Sequence, residues 1–235
     1  LGTAPGTNGK SFQEIARDVL INLQEHGAKM DVFDPVLGNG CCTPGAKGIT
    51  WHPIKTATNG QLALGMTRWI IENKAYNADY LGFTNYKAAV AGGFASYTGA
   101  TFLVIADESS ANNGKLMTAA DAGLTEPEAD PAAKTKPTYY VVMDAEKNEA
   151  ALNTDAERGL IDFEGEVNGI KVRSAFLYLK DSAFSNTMDE YAEICGVPRE
   201  TIEDVAREFT SHGVKAATTG LGSTAASNGV SSMAA

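Results

Sequence analysis

The chain has 235 residues, 43% of them hydrophobic, and a formal net charge of −10. That length holds one large domain or two small ones around a sizeable core, and the composition is that of a soluble globular protein. The acidic balance argues against a nucleic-acid or anionic-membrane surface, since both need basic patches, and no apolar run approaches the roughly 20 residues of a membrane span.

The chain opens without a methionine or a signal peptide, in a loop of Gly, Thr and Pro, and closes in Ser231-Ser232-Met233-Ala234-Ala235. The expectation is a fragment of something larger. Ser11, with Glu14 three residues on, has the capping-box spacing of a helix start. Ile15, Val19, Ile21 and Leu23 supply that helix's apolar side, and Gly27 ends it. A Gly/Thr/Asn loop feeding a helix N-terminus is a physical anion site, although many such turns bind nothing. The run Gly6-x-x-Gly9-Lys10-Ser11 is not a phosphate-binding P-loop, which has four residues between its glycines.

Met30 to Phe33 reads as a strand that stops at Asp34-Pro35, because proline has no amide donor and restricts the residue before it. A glycine-rich excursion follows, then a short β-like piece from Ile49 to Ile54. Next comes a helix in which Leu62, Met66, Trp69 and Ile70 share one face. Strand, acidic turn, loop, short strand, polar cap and helix is how open α/β sheets present loops to a nucleotide at their carboxyl edge. Asp34 suits ribose hydroxyls or guanine edges, and equally a turn in which it satisfies its own backbone. Asn59 suits a helix N-cap.

Three cysteines, Cys41, Cys42 and Cys195, occur without any Cys-x-x-Cys spacing, so they do not make a zinc or iron–sulfur set. Cys195 is expected in the core, together with Tyr191 and Ile194. The middle of the chain reads as irregular and β-rich. Thr101–Ile105 and Tyr139–Met143 are strand candidates, Asn112-Asn113-Gly114 is a turn, and Thr125–Pro137 is a surface loop. Phe163–Phe176 is a hairpin about Asn168-Gly169. Regular structure returns with a helix capped by Thr187 and Glu190 and broken at Gly196-Val197-Pro198. A second helix carries Ile202, Val205, Ala206 and Phe209 inward. Val214–Thr219 is expected to be a sheet strand. The expected fold is therefore α/β, a doubly wound and mostly parallel Rossmann-like sheet built from residues 1–93 and 177–235, with 94–176 as a β-containing insertion. The absence of a Gly-x-Gly-x-x-Gly before the first helix speaks against a nicotinamide dehydrogenase.

No catalytic triad or acid–base pair stands out, and no catalytic or metal-ligating residue is assigned. His26, His52 and His212 lie far apart, at helix ends or before a proline, where a histidine usually partners a helix dipole. Glu200, Glu203, Asp204 and Glu208 read as solvated helix-surface charges.

Several stretches carry a resemblance that covers nearly the whole chain. Asp34-Pro35-Val36, then His52-Pro53-Ile54-Lys55-Thr56-Ala57-Thr58-Asn59, then the helix from Leu62 to Asn73 with Tyr76-Asn77, resemble the nucleotide-binding part of molybdopterin oxidoreductases of the DMSO-reductase family. There the corresponding places read strand-Asp-Pro-Arg, then a segment like Pro-x-Lys/Arg-Pro-Gly-Thr-Asp, then a helix ending in Tyr-Asp. Trp69-Ile70-Ile71-Glu72-Asn73 and Lys115 to Leu124 are similar to the branch of that family that cleaves tetrathionate to thiosulfate. Relatives acting on thiosulfate, polysulfide or arsenate are close alternatives. A stand-alone α/β domain that holds a nucleotide or a partner without catalysis is another.

The resemblance implies a molybdenum held by two molybdopterin guanine dinucleotides, with an iron–sulfur cluster in a further N-terminal domain. It also implies two partners, an iron–sulfur electron-transfer subunit together with a membrane anchor subunit. The implied substrate is a small sulfur oxyanion, and the implied location is the periplasmic side of the cytoplasmic membrane. In that family a Trp-Gly-(Ser/Thr)-Asn loop runs along the guanine dinucleotide, and Gly2, Thr3, Ala4 and Pro5 match it by position. Asp34, Pro35, Val36, Leu37, Ala57, Thr58 and Asn59 are implied as further cofactor contacts. Leu221 and Ala225 belong to a loop that approaches the pterin, where Ala225 and Ala226 replace the usual Gln-His. Family members carry aspartate at the place of Asn59. A carboxylate accepts both guanine N–H donors, whereas asparagine offers one acceptor oxygen.

Overall fold

The computed structural model describes residues 25–37, 48–128 and 139–213. Among these, the elements run β1 Met30–Phe33, β2 Ile49–His52, α1 Asn59–Glu72, α2 Ala78–Gly82, α3 Tyr86–Ala91, β3 Leu103–Ile105 and α4 Ala119–Ala122. They continue as β4 Val141–Met143, β5 Ala150–Leu152, β6 Glu164–Val167, β7 Ile170–Ser174, α5 Ala175–Ala183, α6 Met188–Cys195 and α7 Arg199–Ser211. The described chain packs as two compact units. One draws on Leu1–Tyr76 and Ala183–Ala235, the other on Asn77–Ser182. The expected strand Val214–Thr219 and the helix after Ser11 lie outside the described residues.

In the first unit, β1 and β2 pair in parallel, with Met30 opposite Ile49 and Phe33 opposite His52. The strand stops at Asp34-Pro35 as the sequence requires. The core gathers Phe33, Ile54, Leu62, Met188, Cys195, Val197 and Ile202, with Met66, Trp69, Ala192 and Val205 packed against it. Leu62, Met66 and Trp69 thus meet the core through one stripe of α1. Gly65 lets α6 approach α1 closely: a Cβ there would lie 3.2 Å from Tyr191 Cβ. The expected capping box forms. Thr187 Oγ1 accepts the Glu190 amide at 3.2 Å, and Glu190 Oε2 accepts the Thr187 amide at 2.7 Å. Gly196, at φ +67°, ends α6 in the left-handed conformation that glycine adopts without a Cβ clash. Ile194 departs from expectation. It is 37% exposed, because α6 turns Tyr191 and Cys195 inward, and a residue one position before Cys195 sits about 100° round the helix.

The second unit is antiparallel. One sheet has the order β3-β7-β6, and β4 pairs with β5. Leu103, Ile105, Met117, Val141, Met143, Val167 and Val172 form its core. The Asn-Gly hairpin is present in its expected register, with Val167 opposite Ile170. Asn168 at φ +49° and Gly169 at φ +76° supply the positive φ that a two-residue turn of this hand requires. Helix α5 was not anticipated: β7 passes straight into it at Ala175. The described part of the chain is therefore mixed α/β with small sheets, one of them parallel.

Candidate active-site edge

Because β1 and β2 run parallel, the segments that leave them emerge at the same edge. Asp34 leaves β1, and Pro53 to Asn59 leaves β2. Asp34 is tied to the end of β2 by backbone and side chain. The Asp34 amide donates to His52 O at 3.3 Å, and the Trp51 indole N–H donates to Asp34 O at 2.9 Å. Asp34 Oδ1 accepts the Val36 amide at 2.9 Å, which is the self-satisfying turn. Among the described residues its Oδ2 takes no partner. Pro35, Val36 and Leu37 follow on the surface, with Val36 67% exposed.

The second segment is bound on its inner side. Ile54 is buried in the core of the first unit. The Lys55 amide donates to Cys195 O at 2.8 Å, and Lys55 Nζ donates to Glu193 O at 2.6 Å. Thr58 Oγ1 donates to Lys55 O at 2.7 Å, closing a tight turn in which Ala57 holds φ +64°. Cys195 Sγ donates to Thr58 O at 3.6 Å, and burial pushes this thiol up from its ordinary value.

The expected N-cap role of Asn59 is corrected. Thr58 stands at the cap position and Asn59 is the first residue of α1. Thr58 makes no side-chain cap bond to the helix, because its hydroxyl is turned back to Lys55. The first turn of α1 also carries no acidic residue. The amides of Asn59, Gly60 and Gln61 therefore have neither intrahelical acceptors nor a side-chain cap. Among the described residues the Asn59 side chain has no hydrogen-bond partner. Gln61 Oε1 is buried and also unpartnered.

Elsewhere in this unit, among the described residues, Arg68 Nε is also buried without a partner, while several other charged groups are paired. His52 stacks on Phe33 with ring centroids 4.6 Å apart, and its Nε2 lies 2.7 Å from Asp31 Oδ1. His212 lies 3.0 Å from Glu208 Oε1, at the end of α7, as a helix-end histidine should. Lys29 Nζ reaches the same oxygen at 2.9 Å. Lys29, then His212, holds the Glu208 carboxyl below its usual range. Glu203 pairs with Arg199 and Asp204 with Arg207. An open cleft of about 430 Å³ between β1–β2 and α7 is lined by these paired charges and gains no unclaimed group from them.

Asp34, Pro35, Val36 and Leu37 thus follow β1, and Ala57, Thr58 and Asn59 lie on the segment that follows β2, at the same end of the parallel pair. Gly2, Thr3, Ala4, Pro5, Leu221, Ala225, Cys41 and Cys42 lie outside the described residues. The anchoring of Lys55, the Trp51 indole bond and the orphaned Gln61 oxygen were missed in the sequence. Only Lys55 left a signal there, as the basic residue of the Pro-x-Lys/Arg segment.

No protein-family profile matches the chain. Among curated proteins it is 33% identical over 97% of its length to the A subunit of tetrathionate reductase from Salmonella typhimurium. It is 35% identical over 83% of its length to the A subunit of selenate reductase from Mesobacillus selenatarsenatis. Over 68% of its length it is 29% identical to the A subunit of tetrathionate reductase from Archaeoglobus fulgidus. The chain spans about a fifth of the length of the first two, 22% and 18%.

Proposed function

The chain belongs with the A subunits of tetrathionate and selenate reductases, and from that premise we propose that it is part of the catalytic subunit of a molybdopterin-dependent reductase. Its role there is to form part of the wall that holds a molybdopterin guanine dinucleotide, within a doubly wound and mostly parallel sheet. The observation that supports this reading is that Asp34 and the segment leading to Ala57–Asn59 leave the parallel pair β1–β2 at its carboxyl end. Polar groups that nothing in the described protein claims lie at that end.

These residues fit the guanosine end of such a group. Asp34 Oδ2 can accept ribose or guanine donors. Asn59 Oδ1 can accept one guanine N–H, and the open amides of α1 suit an anion or a carbonyl oxygen. Val36 and Leu37 offer apolar surface against a base or sugar. When bound, the molybdenum cofactor supplies the two-electron chemistry. This chain's residues bind and orient its nucleotide end. The substrate we assign is tetrathionate, two electrons giving two thiosulfates. Selenate is the second reading, favoured by the 35% identity to the selenate enzyme. By the same resemblance electrons arrive through an iron–sulfur domain and an iron–sulfur subunit, the complex is held by a membrane anchor subunit, and the assembly faces the periplasm.

Guanine nucleotides bind this chain weakly, in the millimolar range of about −4 kcal/mol, because Asn59 keeps only one of two hydrogen bonds. An unmatched buried donor costs about 1–3 kcal/mol, so Asn59→Asp tightens GDP severalfold or more. ADP is unaffected beyond the change in charge, because adenine lacks that donor pair. Calorimetric and NMR titrations of GDP and ADP on both proteins test this. Equal changes for the two nucleotides, or shifts that map away from Asp34 and Asn59, refute the assignment. On the full-length protein, reduced-viologen oxidation with tetrathionate and with selenate decides between the substrates.

A further inference from the structure

We propose that Lys55 is a positioning residue, which rests on the nucleotide-site reading above: anchored on the end of α6, it acts through the turn Thr56–Thr58 to present Asn59 and the open first turn of α1 to the ligand. Lys55 is solvent-exposed, yet both its nitrogens are committed to the same helix end. Its backbone amide donates to Cys195 O at 2.8 Å and its ammonium to Glu193 O at 2.6 Å. The last carbonyls of a helix lack intrahelical donors and carry the negative end of its dipole, so a cation settles there. The lysine stem crosses Gly196, where a Cβ would come within 3.1 Å of its Cγ and 3.2 Å of its Cε. Glycine at this helix end therefore ends α6 and also clears the path of Lys55.

The far side of the turn is held by the same contacts. Thr58 Oγ1 donates to Lys55 O at 2.7 Å, and Thr58 O accepts from Cys195 Sγ at 3.6 Å. Between these fastenings Ala57 sits at φ +64°. A residue with a Cβ stays in that region only where its surroundings over-determine it. The Lys55–Glu193 bond is the long-range side-chain attachment at the entry to the turn. Releasing it lets Ala57 relax toward negative φ and rotates the peptide that leads into Asn59. The use of Thr58's hydroxyl in this turn is also why α1 goes uncapped. The brace and the open helix N-terminus thus have one origin.

The test uses the full chain with Lys55→Met and Lys55→Arg. Without nucleotide, the NMR coupling that reports φ at Ala57 moves in Lys55→Met and returns in Lys55→Arg, whose guanidinium also reaches a helix-end carbonyl. GDP affinity falls about tenfold in Lys55→Met, the scale expected of a small misplacement, and is restored in Lys55→Arg. The melting temperature stays near that of the parent. The proposal is overturned if Ala57 keeps its coupling in Lys55→Met, or if Lys55→Met binds GDP like the parent while the parent binds measurably. If the parent binds no GDP, the nucleotide reading fails, and the Ala57 coupling in the unliganded variants alone decides the role of Lys55.

Discussion

The two units of this molecule treat their polar turn residues in opposite ways. In the second unit several such residues are consumed by backbone groups. Asp144 is buried, and its Oδ1 accepts the amides of Glu146 and Lys147 at 2.8 and 3.2 Å. Asp107 Oδ1 accepts the amide and hydroxyl of Ser109, and Asp121 closes a capping box with Thr118. Asn85 caps α3 with its oxygen and donates its amide to Asn153 O and Ala156 O. Among the described residues Thr101 Oγ1 is buried without a partner. In the first unit, α6 is fully capped, but among the described residues Asp34 Oδ2 and the first turn of α1 take no partner. Polar groups whose hydrogen bonds close locally hold loops in place, while groups left open at a shared edge are available to a ligand. The difference separates scaffold from site without any appeal to residue type, since aspartate and asparagine stand on both sides of it.

The largest effect expected is on the scaffold of the site. Leu62 is fully buried where α1 meets the core of the first unit. Leu62→Ala should cost about 2–5 kcal/mol, read by denaturant unfolding. Amide exchange then sharpens the comparison. Residues 48–76 and 187–211 lose protection, whereas the sheet β3-β7-β6 keeps its own. Equal loss in both would mean that the two units do not unfold separately.

Asp144 and Asp34 come next, as the same residue type in the two situations. Asp144→Ala removes the buried carboxylate that accepts the Glu146 and Lys147 amides, charge-assisted bonds whose loss should destabilise the second unit by about 1–3 kcal/mol, with no effect on GDP. Asp34→Ala removes one exposed turn bond, about 1 kcal/mol or less, and abolishes the weak GDP binding. If Asp144→Ala weakens GDP binding and Asp34→Ala does not, the division into scaffold and site is inverted.

The smallest effect concerns acid. The Thr187 amide, then its hydroxyl, holds the Glu190 carboxyl below the usual glutamate range. The Thr118 amide does the same for Asp121. A carboxylate whose folded pKa is depressed contributes stability above its unfolded pKa and loses it as pH falls through the folded value. Both capping boxes should therefore weaken only below the ordinary carboxylate range, seen as faster exchange of the Thr187 and Thr118 amides that donate to these carboxylates. Glu190→Gln, which cannot ionise, removes the acid dependence at Thr187 and leaves that at Thr118. An acid step unchanged in Glu190→Gln would refute the cause given.

Much of the scaffold was legible because its signals are local. Asp34-Pro35 stops a strand, Asn168-Gly169 turns a hairpin, and Thr187 with Glu190 starts a helix, each through atoms within three residues of one another. Ile194 and Asn59 were misread for a complementary reason. Which of two adjacent residues faces the core, and which of two polar residues stands at a cap, turn on a single step of helix phase or boundary. That step is settled by what packs alongside, and sequence spacing does not carry it.

The amino-acid order by itself determined the kinship of the chain, the end of β1, the β6–β7 turn and the start and end of α6, and the residues Asp34 and Asn59 as candidates, since motif spacing and turn chemistry are properties of neighbours along the chain. Only the tertiary structure decided that Asp34 and Asn59 emerge at one edge, because that follows from the parallel pairing of β1 with β2. It also decided which polar atoms stay open. Thr58 leaves α1 uncapped because its hydroxyl answers Lys55, and Lys55 is fastened to Glu193, 138 residues further along the chain. A contact across that separation is made by packing of the core between the two segments, and packing is a property of the folded whole.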